Sequence, residues 1–95
     1  MRFKEIKIGR KKGIGIEISL PKAPLVLAVG KKGFLMCGYL NVTSAVRLGD
    51  SAAVVKGVRS IEELLEKSVV AVTPQASRRG VRVGMPGHKA LSRLF

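Results

Sequence analysis

The chain holds one cysteine and one histidine, and this sets limits on its chemistry. Cys37 follows an apolar stretch and is itself followed by Gly38, past which a ligand can approach the thiol. A thiol in such a place can act as a nucleophile or contact a ligand. The alternative is that Cys37 is a small buried hydrophobic residue, as most free cysteines are. His88 stands alone, so no site can use two imidazoles, and the sequence predicts no bound metal and no cofactor.

Arg59 is the second candidate, because it lies between a predicted strand and a predicted helix. A guanidinium in this position can hold the carboxylate or phosphate of a ligand, or a carboxylate of a neighbouring subunit. It can equally pair with Glu62 or Glu63 on its own chain. The residues themselves leave these alternatives open.

Three further residues are candidate ligand contacts. Asn41, just beyond Cys37, can orient a ligand by hydrogen bonding. Gly87 and His88 begin the last predicted helix, where free backbone amides attract anions, although every helix has such an end. We therefore predict a small anionic ligand, with Cys37 as the catalytic or ligand-contacting group. The expected ligand-binding residues are Gly38, Asn41, Arg59, Gly87 and His88.

The elements that must position these residues begin with strands. Isoleucines at 14, 16 and 18 alternate with small or polar residues, which predicts a half-buried strand, and residues 2–8 are also β-prone. The basic turn at 9–13 joins the two into a hairpin. Continuous apolar runs at 25–29 and 34–40, joined by a glycine-lysine turn, predict a second hairpin that is buried on both faces.

Short helices and strands follow the two hairpins. We predict helices over 42–48, from the capping box at Ser60–Glu63, from Pro74 to Arg79, and over 86–95. Short strands are predicted at 53–58 and 81–83. The fold class is α+β, with N-terminal β-hairpins in an antiparallel or mixed sheet followed by short helices alternating with short strands. Residues 1–95 form one domain, and the β region at about 1–40 needs cover from a partner, so we predict a homo-oligomer.

Charge is unevenly distributed along this chain of net charge +12. Residues 1–33 carry nine Lys and Arg against two acids, and residues 77–95 carry five against none. This distribution allows an alternative function, a nucleic-acid-binding module, although only four aromatic residues are present for base stacking. Its expected contacts are Arg2, Lys4, Lys7, Arg10, Lys11, Lys12, Arg78, Arg79 and Arg82.

Targeting and composition point to the inside of the cell. The apolar run at 34–46 is shorter than the roughly 20 residues of a membrane span, and the basic N-terminus has no apolar signal segment. We expect a cytoplasmic protein with no membrane partner. A single Asn and a single Gln are typical of heat-adapted proteins.

Three stretches together resemble the YunC-like family, a domain of unknown function in bacteria and archaea. They are MCGYLN (36–41), GVRSIEELL (57–65) and VRVGMPGHKAL (81–91), and the resemblance runs from about Leu20 to the C-terminus. It implies tetramerisation through an N-terminal region of β-strands, and it implies no particular activity. Asn41 stands where the family often has Asp, and Pro86 where a small hydroxyl residue is common. A third hypothesis is that the protein is a structural assembly partner whose cysteine thiol is inert.

Overall fold

A six-stranded sheet forms the centre of the computed structural model, and its strands lie side by side in the order in which they occur in the sequence. The structure describes residues 1–38, 45 and 47–95. Neighbouring strands are antiparallel except β4 and β5, which run parallel. The predicted α+β class with two N-terminal hairpins is confirmed, and the sheet is mixed. The strands are β1 (Arg2–Ile8), β2 (Lys11–Ile18), β3 (Leu25–Val29), β4 (Phe34–Met36), β5 (Ala52–Val54) and β6 (Ala71–Val72).

Three short helices pack on the sheet, and their start signals are those that the sequence predicts. The described helices of more than one turn are α1 (Ile61–Glu66), α2 (Pro74–Arg78) and α3 (Gly87–Ser92). The Ser60 hydroxyl accepts a hydrogen bond from the Glu63 amide at 3.1 Å, which caps α1. Thr73 caps α2 in the same way, whereas Pro86 gives α3 no side-chain cap.

The prediction of a strand at 81–83 is wrong. The Val81 amide donates to the Ala76 carbonyl and completes the end of α2, while Val83 is 63% exposed. The sixth strand lies earlier, at Ala71–Val72, where it pairs with β5. An apolar-charged-apolar triplet in a loop has the same alternation as a strand, so periodicity over three residues does not distinguish them. The predicted helix at 42–48 falls mostly outside the described residues.

The two faces of the sheet differ. Helices α1 and α3 cover one face and bury a core of aliphatic side chains against it. Two glycines of β2, Gly13 and Gly15, make the close approach possible. A Cβ on Gly15 would lie 2.8 Å from Cγ2 of Ile61, and one on Gly13 would lie 3.1 Å from the Phe95 ring. The other face is apolar too, and it is exposed over the first strands, where Phe3 is 63% and Ile14 53% accessible.

The two ends of the sheet also differ in the chain segments that meet there. At the basic end lie the β1–β2 turn, the β3–β4 turn, Ser51 and α2, because Val29 pairs with Phe34 and Phe34 with Ala52. At the opposite end, the pocket end, the chain enters β3 and leaves β4 and β5. Helix α1 also starts at the pocket end, where the Ile61 amide donates to Oε1 of Glu17 at 3.0 Å.

Candidate functional site

Cys37 completes the hydrogen-bonded ladder between β3 and β4. Its amide donates to the carbonyl of Val26 at 3.1 Å, and the Val26 amide donates to the Cys37 Sγ at 3.3 Å. The thiol therefore takes the place that a backbone carbonyl occupies in a regular antiparallel pair. Only 3% of Cys37 is exposed, and it packs in the main core cluster. Its side chain thus has a structural role at the end of the strand.

A small pocket adjoins this cysteine at the pocket end of the sheet. Its volume is about 230 Å³. It lies where two chain segments meet, Cys37–Gly38 after β4 and Gly57–Val58 after β5, with a third segment as the remaining wall. The lining residues are Ala23, Pro24, Cys37, Gly38, Gly57 and Val58. The pocket therefore brings together residues from two of the stretches that resemble the YunC-like family.

Glycine is required at one lining position and leaves space at the other. Gly57 has φ +70°, the left-handed region that a side chain rarely adopts. A Cβ on Gly38 would meet only Cγ of Lys56, at 3.7 Å, which is ordinary van der Waals contact. Gly38 therefore leaves the mouth of the pocket open, although the fold itself has room for a methyl group there.

Lysines stand beside the pocket. The Lys67 ammonium donates to the Gly57 carbonyl at 2.6 Å and lies 3.5 Å from a carboxylate oxygen of Glu63. The aliphatic part of Lys56 runs along Gly38. Two cations and one carboxylate at the pocket give it an excess of positive charge, which favours an anionic ligand.

Arg59 directly follows the lining residue Val58. Glu62 and Glu63, the carboxylates predicted to pair with it, make other contacts. The Arg59 amide, not its guanidinium, donates to Oε1 of Glu63 at 3.0 Å. This bond is the return half of the predicted capping box, displaced by one residue from the Ser60 amide. Among the described residues, the Arg59 guanidinium is in no ion pair. The predicted ion pair of the Arg59 guanidinium with Glu62 or Glu63 is therefore not formed.

Glu62 joins α1 to the first strand through Arg2 and Lys4. Its carboxylate lies 2.6 Å from an Arg2 guanidinium nitrogen and 2.7 Å from the Lys4 ammonium. Hydrogen bonds from Arg2 and then from Lys4 lower the pKa of Glu62 to about 2. Arg2 also reaches Glu17 at 3.2 Å. The charges of these two basic residues are therefore compensated at the pocket end, and their contact with nucleic acid stays a prediction.

Gly87 and His88 do not line the pocket. Gly87 is buried where α3 crosses α1, and a Cβ there would lie 2.0 Å from the carbonyl oxygen of Leu64. That contact explains the glycine by helix packing, and His88 is exposed beside it. Their ligand role stays a prediction. Asn41 lies outside the described residues.

Sequence reasoning found Cys37 and Gly38 but missed the other four lining residues. The Gly57-Val58 pair was available as a signal, because a glycine that ends an apolar stretch ahead of a helix cap is typical of a special backbone turn. Ala23 and Pro24 carry no comparable signal. Within the described part of the chain, no group of three or more His, Cys, Asp or Glu side chains is placed to hold a metal ion. In the same residues, no helix has the length and apolar character needed to cross a membrane.

Comparison with known proteins assigns this small α+β domain with its mixed sheet to a family. The profile of the domain of unknown function DUF1805 matches residues 36–94. The chain is 32% identical over 84 residues to the uncharacterised protein YunC of Bacillus subtilis, which covers 84% of this chain and 83% of that protein. It therefore belongs to the DUF1805 family, and the YunC-like resemblance is confirmed.

A solved structure extends the likeness to almost the whole chain. The crystal structure of a protein of unknown function from Thermoplasma acidophilum superposes with a TM-score of 0.94 at 32% identity. The match covers 99% of this chain and 92% of that one. It includes the N-terminal hairpin that lies ahead of the residues matched by the family profile.

Proposed function

We propose that this protein binds a small anionic ligand in the pocket beside Cys37, as a subunit of a homo-oligomer. The observation that carries the proposal is the meeting of Cys37–Gly38 and Gly57–Val58 around one cavity. The two segments are far apart in the chain, and each belongs to a stretch that resembles the family. Both adjoin strand ends, which are rigid supports for a binding site.

The size and the walls of the pocket limit the ligand. A volume of about 230 Å³ is below the range of about 300–1,000 Å³ that drug-sized ligands occupy. The ligand is therefore a compact molecule. Ala23, Pro24 and Val58 offer an apolar wall, and Lys56 and Lys67 stand beside it. A short-chain carboxylate or a small phosphate ester combines these two features, and Arg59 is proposed to hold its acidic group.

The proposed role of Cys37 is contact with the ligand at the inner wall. Its Sγ already accepts a hydrogen bond from the Val26 amide, so ligand contact needs no displacement of the strand. Reaction at the thiol, as a nucleophile, would require the ligand to reach a residue that is only 3% exposed in the isolated chain. Binding is therefore proposed ahead of covalent catalysis.

Thermal unfolding with and without small anions tests this proposal. We would screen inorganic phosphate, acetate, pyruvate and glycerol phosphate for an increase in Tm of the purified protein. The variants are Gly38→Ala, which places a methyl group at the pocket mouth without a clash, and Arg59→Ala, which removes the guanidinium. We expect both variants to lose the ligand-induced increase, while their Tm without ligand stays within about 4 °C of the parent.

Two controls separate this site from other anion effects. His88→Ala removes an exposed side chain outside the pocket, and we expect it to keep the full increase in Tm. Cys37→Ser keeps an acceptor for the Val26 amide and tests whether the sulfur itself is needed. An equal increase in Tm for the parent, Gly38→Ala and Arg59→Ala would show that the anions bind elsewhere, and the proposal would be wrong.

The oligomer proposed here uses the sheet face opposite α1 and α3, which is apolar and is exposed over β1 and β2. Strand register places Phe3, Ile16 and Leu27 in one row and Ile14, Val29 and Phe34 in the next. A second copy of the chain is the proposed occupant, since the same apolar surface on both subunits is self-complementary. The number four for the assembly, and a cytoplasmic location, remain predictions from the sequence.

A further inference from the structure

Cations accumulate at the basic end of the sheet and line two hollows there, where they form no ion pair among the described residues. The ion pairs among the described residues use Arg2, Lys4, Lys7 and Lys67. None of them uses a cation of the basic end. Six exposed cations there surround two adjoining hollows and are called the basic groove below: Arg10, Lys11, Lys32, Arg78, Arg79 and Arg93.

Distant parts of the chain form this groove together. The first hollow, of about 520 Å³, lies between the β1–β2 turn and the chain after α3. The second, of about 370 Å³, lies between the β3–β4 turn, Ser51 and α2. Arg79 lines both hollows, so they form one continuous surface. Asp50 is the one acidic side chain among the described lining residues.

Several groove side chains are held in place. Nε of Arg79 donates to the Ser51 hydroxyl at 3.2 Å, and the Lys11 ammonium donates to the Ser92 carbonyl at 3.2 Å. The Arg93 guanidinium lies over Gly80, where a Cβ would be 3.1 Å from one of its nitrogens. Cations fixed in this way lose less side-chain entropy when they bind an anion than freely moving ones do.

An unpartnered acceptor lies in the second hollow. The side-chain oxygen Oε1 of Gln75 is buried and has no hydrogen-bond partner among the described residues. Gln75 lines the hollow together with Lys32 and Arg78. A ligand in this hollow meets Lys32 and Arg78 beside Gln75 and therefore carries negative charge.

The groove has cations on both hollows, and none of the described residues that line it is aromatic. Bases therefore have no described surface on which to stack. Repeated anionic groups along a chain would be held by their charges, independent of base sequence. From these observations we propose that the basic groove binds nucleic acid through its sugar-phosphate backbone. This site is separate from the pocket beside Cys37 and does not depend on it.

The structure changes the set of residues that the sequence assigns to nucleic acid. Arg2 and Lys4 are bound to Glu62 at the other end of the sheet, and Lys7 lies 3.7 Å from Glu5. NH1 of Arg82 donates to the Ser77 carbonyl at 2.6 Å and is not in the groove lining. Lys32 and Arg93 take their place, and they enter only because the fold brings both turns and the chain end together.

Fluorescence anisotropy with labelled oligonucleotides of mixed sequence tests the proposal. We would use single-stranded RNA, single-stranded DNA and duplex DNA with the full chain. The expected result is binding to at least one of them that is independent of sequence and weakens steeply between about 50 and 200 mM salt. The double variant Arg10→Gln/Arg78→Gln removes one cation from each hollow. It should weaken binding about tenfold or more and reduce the log-log salt slope by about 2.

A matched control distinguishes the groove from overall charge. Lys22→Gln/Lys89→Gln removes the same number of charges from two exposed lysines that line neither hollow and form no ion pair among the described residues. We expect it to bind within about twofold of the parent. Equal weakening by both double variants would overturn the proposal, because net charge would then explain the binding. It would also be overturned by no binding at low salt, or by binding of inorganic polyphosphate but of no oligonucleotide.

Discussion

Strand β2 separates two apolar surfaces that are built in opposite ways. On the covered face its residues are glycines, Gly13 and Gly15, and the helices approach until Ile61 fills the space above Gly15. On the other face the same strand carries Ile14, Ile16 and Ile18, and Ile14 remains 53% exposed. One strand thus packs internally by having no side chains and presents large side chains to the outside.

This difference shows that the alternation along β2 serves two purposes within eight residues. Because successive side chains of a strand lie on opposite faces, the two glycines lie on the covered face and the three isoleucines on the other. A large residue on the covered face would separate helix from sheet, because protein cores have little free space. A large residue on the other face does not lower the free energy of unfolding of the single chain. Its apolar area is then available to cover the matching face of a second copy.

The largest effect is expected from a methyl group on the covered face. Gly15→Ala places a Cβ 2.8 Å from Ile61 Cγ2 and 3.1 Å from Ile6 Cδ1, so both side chains must move. We expect a loss of about 1–3 kcal/mol in the free energy of unfolding, measured by urea denaturation. Gly38→Ala adds the same methyl group in ordinary contact at 3.7 Å and is the matched control. Equal stability of the two variants would contradict the packing argument.

A charge on the open face is expected to act on assembly and not on the fold. Ile14→Lys replaces a half-exposed apolar side chain in the middle of that face. We expect the free energy of unfolding of the single chain to change by about 0.5 kcal/mol or less. The oligomer should dissociate at concentrations about tenfold higher or more than the parent requires, because association would remove the lysine and its cross-strand neighbour Glu5 from water.

Sedimentation velocity over a range of protein concentrations measures this shift. Val83→Lys is the control, since Val83 is 63% exposed and lies outside the sheet. If Val83→Lys dissociated the oligomer and Ile14→Lys did not, the interface would lie elsewhere on the protein.

The smallest effect is expected at Glu62, which joins the covered face to α1. Its pKa in the folded protein, about 2, is below the ordinary value of 4.5, so the charged form stabilises the fold. That contribution is complete above pH 4.5 and is lost as the pH falls toward 2. Because the Glu62 side chain is 43% exposed, Glu62→Gln should cost less than about 1 kcal/mol at pH 7 and little near pH 2.

Urea denaturation at pH 7, 4 and 2 measures this dependence. Glu66→Gln, on the same helix and in no ion pair among the described residues, gives the background change for removing a carboxylate. A cost for Glu62→Gln that is the same at every pH would exclude the ion-pair explanation.

Much of the fold follows from signals that act over a few residues. The capping residues Ser60 and Thr73 predict the starts of α1 and α2, because their oxygens satisfy amides in the next turn. The first hairpin follows from alternation, although its turn is shorter than predicted and lies at Gly9–Arg10. Strand β6 has only two residues, and its pairing with β5 is a tertiary contact that no local pattern encodes.

The candidate site was predictable only in part, for a related reason. Cys37 and Gly38 are marked by residue type, and a single cysteine attracts notice in any sequence. Their proximity to Gly57 and Val58 depends on the parallel pairing of β4 and β5. The groove residues show this limit of the sequence more clearly. Lys32, Arg79 and Arg93 are ordinary surface cations in the sequence, and only the three-dimensional fold brings them to one edge.

Positive charge is distributed unevenly along the strands. Glu17, Glu62 and Glu63 offset cations at the pocket end, whereas the cations of the basic groove form no ion pair among the described residues, so the centre of positive charge is displaced toward the groove and the molecule has an electric dipole. A dipole of this kind turns a diffusing protein before it touches a charged surface, so its first encounters are already oriented. Approach to a polyanion would therefore be faster than random collision allows, and added salt would slow it by screening the torque.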